Sequence, residues 1–371
     1  MTNKLCLIYN YAQHYRTSIF RLIDQTFECD FVFGNSMGDV RKMDYSLLRG
    51  HVKETHTKRL WSGFYYQKGI PSLIRKNYDT FILLGESRAL STWIFLIKAK
   101  FYKKKKVFLW SHGWYGKETR LERVLKKLMF HLPNGGILLY GNYARNLMIK
   151  EGFDGKNLFV IHNSLAYDEQ KALREQITSS FILKNHFGNG LPILIFIGRL
   201  TAVKRLDLII DAMALLRTKG QMYNLVFVGD GSERQKLQQK VETTKLEKYV
   251  WFYGACYDEK ANAELIYNAD LCVAPGNVGL TAMHTMMFGT PVLTHNSFEY
   301  QMPEFEAISD GVTGGFFQRN NAESLAKSID DWFKRHGNNR EAVRNACYHE
   351  IDTQWTPQFQ LEVIKKAFEA C

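Results

Sequence analysis

The 371 residues, 46% of them hydrophobic, exceed what one domain of ordinary size needs and suffice for two full cores. Six scattered cysteines with no CxxC pair argue against a disulfide framework or zinc site and fit a reducing compartment; without a signal-peptide core or a bilayer-length apolar run, the expected location is cytoplasmic. The net charge of +12 resides in the first half, where Met1 to Ser180 holds 29 Lys and Arg against 15 Asp and Glu, while the rest holds 20 against 22; a solvated basic face or an anionic partner, nucleic acid or membrane headgroups, is implied there.

Leu5 to Tyr9 reads as a strand, and Ile19, Phe20, Ile23 and Phe27 as the buried stripe of the next helix. The loop between them carries His14 and Arg16. Loops at strand carboxyl ends line ligand crevices in parallel α/β sheets, so these two are candidates for a substrate edge; ordinary loop residues are the plain alternative. Phe31 to Phe33 reads as a strand, whereas Met37 to Phe64 shows no period. Phe81 to Leu84, another strand, leads to Glu86, either an acceptor-side carboxylate or an acid at a helix N-terminus. From about Ala89, a helix carries Trp93, Ile94, Phe95 and Ile97 into a lysine run ending at Lys106, the pattern of an interfacial segment or of a core helix and solvated loop. Val107 to Trp110 is a strand with His112 beyond its end, a site residue or a loop cap. Glu118 to Phe130 predicts an amphipathic helix with Leu121, Val124, Leu125 and Leu128 inward and Arg120, Arg123, Lys126 and Lys127 outward. Strands at Ile137 to Tyr140 and Leu158 to Ile161 complete an alternation that implies a parallel sheet.

A domain boundary is expected within the polar stretch Asp168 to Gly190, after which a second α/β series begins with strand Ile193 to Ile197. Beyond it lie Gly198, Arg199 and Lys204, two cations able to hold an anion, one as a fork and one as a point charge. The next helix has Leu208, Ile209, Ala212 and Leu215 as its stripe. Strands follow at Leu225 to Val228, with Gly229 beyond, at Val250 to Tyr253 and at Leu271 to Ala274. The stretch Pro275 to His284 then predicts a glycine loop and a helix starting near Gly279. Its first N–H groups lack partners and would seat a phosphate, with Thr281 and His284 on one face beside it. An ordinary strand-to-helix turn explains the same residues.

These segments, taken together and in order, resemble the group 1, or family 4, glycosyltransferases of the GT-B fold, a class of retaining enzymes. The resemblance rests on Gly198-Arg199 with Lys204-Arg205 and Asp207, Val228 to Gly231, Val250 to Gly254, Ala269-Asp270, Gly279-Leu280 with Gly289 to Val292, and Asp310 to Gly314. It covers most of the second half; the first half matches loosely, through Tyr15-Arg16, His112-Gly113 and Val160 to Ser164. It implies two Rossmann-like domains facing across a cleft: an acceptor domain at 1–180, a nucleotide-sugar domain at 181–350, and a terminal helix at 351–371 returning to the first. One departure stands out. The family usually carries two glutamates where this chain has Gly276 and His284.

The resemblance implies transfer of a sugar from a nucleotide-diphosphate donor to a hydroxyl of a glycan or lipid-linked glycan, as in surface polysaccharide synthesis, at an anionic inner membrane face. Arg199, Lys204 and His112 would be catalytic. Gly198, Gly229, Asn277, Gly279, Leu280, Thr281, His284 and Glu306 would bind the donor, and His14, Arg16 and Glu86 would lie on the acceptor side. No metal or other cofactor is expected, since no Asp-x-Asp motif occurs. A catalytically inactive nucleotide-sugar-binding relative and a sugar-nucleotide epimerase of the same fold are alternatives. A nucleic-acid-binding protein fits less well, because no binding module is recognised and the phosphate-binding residues lie in the slightly acidic half.

Overall fold

The structure, a computed structural model, describes residues 4–35 and 40–370. The chain separates into two compact units, Met1–Ala166 with Thr356–Cys371, and Tyr167–Trp355.

In the first unit the elements run β1 (Leu5–Tyr9), α1 (Thr17–Thr26), β2 (Cys29–Gly34), β3 (Val52–Thr55), β4 (Thr57–Arg59), β5 (Tyr65–Gln67), β6 (Thr80–Leu84), α2 (Leu90–Ala99), β7 (Lys106–Ser111), α3 (Arg120–Phe130), β8 (Gly136–Leu139), α4 (Asn142–Lys150) and β9 (Leu158–Val160). Seven strands form one parallel sheet in the order β3-β2-β1-β6-β7-β8-β9, and β4 pairs with β5 in a small antiparallel ribbon. The period of two sends Leu5, Leu7 and Tyr9 to one face, against Ile19, Phe20 and Ile23 of α1. Cys6 and Ile8 go to the other, with Phe95 and Leu96 of α2, Met129 and Phe130 of α3 and Met148 of α4. Both faces are thus covered, which is why the strands read as apolar runs.

The unperiodic stretch after Met37 contains β3, β4 and β5. Its positions 37–39 lie outside the described residues. The weak signal has a cause: β3 is an edge strand whose Lys53 and Glu54 are exposed.

The expected orientation of α3 is corrected. Leu121, Val124 and Leu128 are 69%, 55% and 58% exposed, and Leu125 is half-buried. The helix enters at a Thr119–Glu122 capping box and docks through its last turn, leaving its apolar stripe uncovered in this chain. Glu118 precedes the helix and accepts bonds from the Tyr115 and Gly116 amides and from Lys126 Nζ. On α2, Phe95 is buried, but Ile94 and Ile97 are exposed, as is Phe101 just beyond.

The second unit comprises α5 (Tyr167–Gln176), α6 (Ile182–Phe187), β10 (Ile193–Ile197), α7 (Asp207–Thr218), β11 (Asn224–Val228), α8 (Arg234–Thr243), β12 (Val250–Gly254), α9 (Glu259–Asn268), β13 (Leu271–Ala274), α10 (Leu280–Met287), β14 (Val292–His295), β15 (Gly314–Phe317), α11 (Ala322–His336) and α12 (Arg340–Gln354). Its six strands are parallel, in the order β12-β11-β10-β13-β14-β15. On α7, Leu216 rather than Leu215 completes the buried stripe. The final helix, α13 (Pro357–Glu369), is capped by Thr356 and belongs to the first unit, where Leu361, Ile364 and Ala367 join α1 in the core.

The change of unit falls at Ala166–Tyr167, ahead of the expected position after 180, because α5 is tied to second-unit helices. Arg174 forks onto Asp352 of α12 at 3.0 and 2.8 Å, Tyr167 donates to the same carboxylate at 3.0 Å, and Gln170 donates to Glu259 of α9 at 2.7 Å. Arg174→Ala leaves the Asp352 carboxylate with the Tyr167 hydroxyl but without its counter-charge. A loss of about 2 kcal/mol is expected, discounted from the fully buried case because Asp352 is 31% exposed. Urea unfolding should show it as a lower midpoint with an unchanged slope.

Candidate functional site

In the second unit, the carboxyl ends of β10, β11 and β13 converge. Gly198 follows β10 and donates its N–H to Val228 O, and Gly229 follows β11 and donates to Gly254 O. After β13, residues 275–279 are fixed from both sides. Gly276 N–H donates to Lys204 O at 2.9 Å, Lys204 Nζ donates to Asn277 O at 2.7 Å, and Val278 N–H donates to the Gln301 side-chain oxygen at 2.8 Å. Gln301 is buried and turns its amide nitrogen to Thr294 Oγ1 and His295 O. A Cβ on Gly276 would stand 2.0 Å from Val203 O, so glycine is required for this close approach.

Gly279, at φ 53°, begins α10 without a side-chain cap. Among the described residues, the amides of Gly279, Leu280 and Thr281 find no backbone oxygen as a hydrogen-bond partner. Three donors and the positive end of the dipole are therefore left at one point, the arrangement that binds phosphate at helix N-termini. Lys204 is anchored beside them. Burial depresses its ammonium pKa to about 8, partly offset by the buried Glu304 carboxylate and reinforced by the Arg199 charge. Arg199 itself is exposed, and among the described residues its side chain has no hydrogen-bond or ion-pair partner.

Two expected contacts are corrected here. The Thr281 hydroxyl donates to Ile197 O at 3.0 Å, locking α10 to β10, so only its amide is offered outward. His284 Nε2 lies 2.9 Å from Glu259 Oε1, so the imidazole is held by α9 instead of standing free beside an anion. The Glu259 carboxyl is pushed up by burial but pulled further down by His284 and Gln170, which keeps it ionised. Glu306 is half-buried in the turn Pro303–Ala307, whereas Glu304 of that turn is the acid acting on Lys204. Sequence reading missed Glu304, Gln301 and Glu259. Nothing in a Pro-Glu-Phe-Glu run distinguishes its two acids except burial, which a single sequence does not display.

The first unit holds the other candidates. His14 is exposed, with Nδ1 3.2 Å from Arg41 O. Glu86 lies ahead of α2 rather than in its first turn, accepts a bond from Tyr65 Oη at 2.6 Å, and has its carboxyl pushed up by burial. Arg16 and His112 meet around Tyr140. Arg16 donates to the Tyr140 hydroxyl, and the His112 ring packs 4.6 Å from that of Tyr140. Burial, then the charges of Arg16 and Lys126, push the His112 imidazole down to about 3, so it is neutral at pH 7. Among the described residues, no group of His, Cys, Asp and Glu has the arrangement of a metal site.

Residues 180–349 match the family model described as Glycosyl transferases group 1. Over 99% of the chain, the structure matches Anabaena HepE in complex with UDP, with a TM-score of 0.73 at 13% identity and all of that chain covered. The fold is GT-B. The apo lipopolysaccharide outer core galactosyltransferase WaaB gives a TM-score of 0.72 at 13% identity over 99% of both chains. Among curated proteins, a GDP-mannose-dependent alpha-(1-6)-phosphatidylinositol dimannoside mannosyltransferase of Mycobacterium tuberculosis is 35% identical over 142 residues, 37% of this chain and 34% of that protein. The putative glycosyltransferase EpsD of Bacillus subtilis is 28% identical over 170 residues, 45% of this chain and 41% of that protein. The chain thus matches well under half the length of these curated relatives.

Proposed function

We propose that this chain is a retaining, metal-independent glycosyltransferase that moves a sugar from a nucleotide-diphosphate donor to a hydroxyl of a glycan or lipid-linked glycan. The observation that carries the reading is the conjunction, in the segment matching the group 1 model, of Lys204 and Arg199 with the Gly279, Leu280 and Thr281 amides at the start of α10, which have no backbone acceptor among the described residues. As the glycosidic bond breaks, negative charge grows on the departing diphosphate. Fixed donors aimed at that charge stabilise the transition state more than the ground state. The acceptor hydroxyl attacks on the face from which the diphosphate leaves and gives its proton to a phosphate oxygen, which preserves the anomeric configuration. An epimerase would share the donor contacts but convert its donor without an acceptor, so product analysis with and without glycan separates the two.

Thermal unfolding against UDP, GDP, dTDP and ADP tests the donor half. Ligand at a hundred times its dissociation constant adds about 2.7 kcal/mol, a rise of several degrees. One nucleotide should give that rise selectively. A flat response to all four would sink the reading.

The exposed apolar stripe of α3, flanked by Arg120, Arg123 and Lys127, supports a second element of the proposal, docking on an anionic membrane where a lipid-linked acceptor resides. No helix among the described residues is long and apolar enough to cross a membrane. Changing Leu121, Val124 and Leu128 together to Ser should abolish co-sedimentation with phosphatidylglycerol vesicles while leaving the melting temperature unchanged, since none of the three is buried. Equal sedimentation of variant and wild type would remove α3 from the docking surface.

A further inference from the structure

Arg16 is 5% exposed, yet it has no carboxylate partner among the described residues. One nitrogen donates to Tyr140, whose hydroxyl lies 2.8 Å from that of Tyr9, while Nε and the other terminal nitrogen, Nη1, are buried with no acceptor among the described residues. Four rings surround the guanidinium, those of Tyr9, Tyr140, Trp110 and Tyr15, at 5.0, 5.2, 5.4 and 5.7 Å. Aromatic faces attract a cation but accept its hydrogen bonds poorly, and removing a guanidinium from water without a counter-charge is strongly unfavourable. Two more donors at the same place lack acceptors, Trp110 Nε1 and, depending on its tautomer, His112 Nδ1. Lys126 does not relieve the imbalance, because its ammonium is paired with Glu118 and Gly113 O.

All of these groups stand at or just beyond the carboxyl ends of β1, β7 and β8, where a parallel sheet receives its ligands. Tyr15 and His112, both half-buried, are the least covered members of the cluster. We propose that this cluster is a subsite for an oxyanion carried by the acceptor, a phosphate or a sugar carboxylate, which takes the free edge of Arg16 as a two-pronged contact and the Trp110 N–H as a third. The inference deepens the acceptor-side reading of this unit. An acceptor without an anionic group near the reacting hydroxyl would leave the Arg16 charge buried and unanswered, so the subsite selects by charge.

The test measures anion binding alone, without a donor or any transfer. Wild-type protein labelled with 15N in tryptophan and histidine is titrated with inorganic phosphate and, separately, with acetate, the Trp110 indole signal being assigned from Trp110→Phe. At least one anion should move the Trp110 N–H and His112 ring signals saturably, and the tighter one identifies the acceptor group. Lys204→Ala should retain these shifts, because its lesion lies in the other unit. Arg16→Gln should weaken them at least tenfold and Arg16→Lys less, since the lysine keeps the charge but loses the fork. Should Arg16→Gln fail to fold, the wild-type and Arg16→Lys titrations still decide. No saturable shift with either anion, or undiminished shifts in a folded Arg16→Gln, would overturn the proposal and leave the donor reading untouched.

Discussion

Lys204→Ala is expected to lower kcat/KM by about 10²- to 10³-fold, the size of effect seen when one preorganised donor is removed from a developing anion. Two features single out this lysine. Its ammonium is held by Asn277 O within a segment that Gln301 fixes, so it would meet a bound diphosphate without reorganising, and it is half-buried. The same burial predicts that stability will not fall in proportion, because the substitution also removes an ammonium that was costly to bury. A melting temperature within a few degrees of wild type, together with the loss of rate, is the expected pair. Loss of rate matched by global unfolding would instead make Lys204 a loop anchor. Arg199→Ala should lower the rate too, but less, since an exposed guanidinium must be ordered on binding.

The depressed pKa adds a pH signature. With the Lys204 ammonium ionising near pH 8 in the free protein, kcat/KM should fall as pH rises through about 8. A bound diphosphate stabilises the charged form, so the limb in kcat should lie at higher pH. The sign for folding is opposite. Between about 8 and the ordinary 10.5, the unfolded chain holds a proton that the folded chain has shed, so this group makes the protein more stable as pH rises across that window. Rate and stability moving in opposite directions over one pH interval would be hard to obtain from general alkaline damage.

The parts of this protein legible in its sequence share one property: their signal is local. Apolar runs such as Leu5 to Tyr9 and Ile193 to Ile197 are buried on both faces and declare themselves as parallel strands. The Gly279 turn places α10 from its own backbone needs. What could not be read depends on what packs against what. The stripe Leu121, Val124, Leu128 has the period of a core face, and periodicity reports amphipathicity without saying whether the apolar side meets the protein or something outside it. Thr281 and His284 do share a helix surface, but β10 and α9 had already taken their polar atoms. The charge of Arg16 is likewise invisible in the sequence, because what marks it is that no carboxylate faces it among the described residues.

Gly276→Glu, which would supply the first of the two glutamates usual in the resembling family, is expected to abolish turnover. The backbone forbids it before the carboxylate can matter. Any Cβ at 276 would lie 2.0 Å from Val203 O and 2.7 Å from Lys204 Cα, and both obstacles are main chain that no rotamer change can clear. The Lys204 loop must move away, breaking the Gly276–Lys204 and Lys204–Asn277 bonds that seat the ammonium beside the α10 amides. Gly276→Ala carries the same Cβ without the charge, so the two variants should lose stability almost equally, by about 1–3 kcal/mol, and both should lose nucleotide-induced stabilisation. His284→Glu meets a different obstacle. Its carboxylate would arrive beside Glu259, which is ionised and now bonded to the imidazole at 2.9 Å, so like-charge repulsion would raise the pKa of one of the two acids. Glycine at 276 and histidine at 284 are therefore each matched to a neighbour, the Val203–Lys204 backbone and the Glu259 carboxylate. The double variant with both glutamates should be less active than wild type, and a gain of activity from it would show that the loop before α7 can yield where this structure has it fixed.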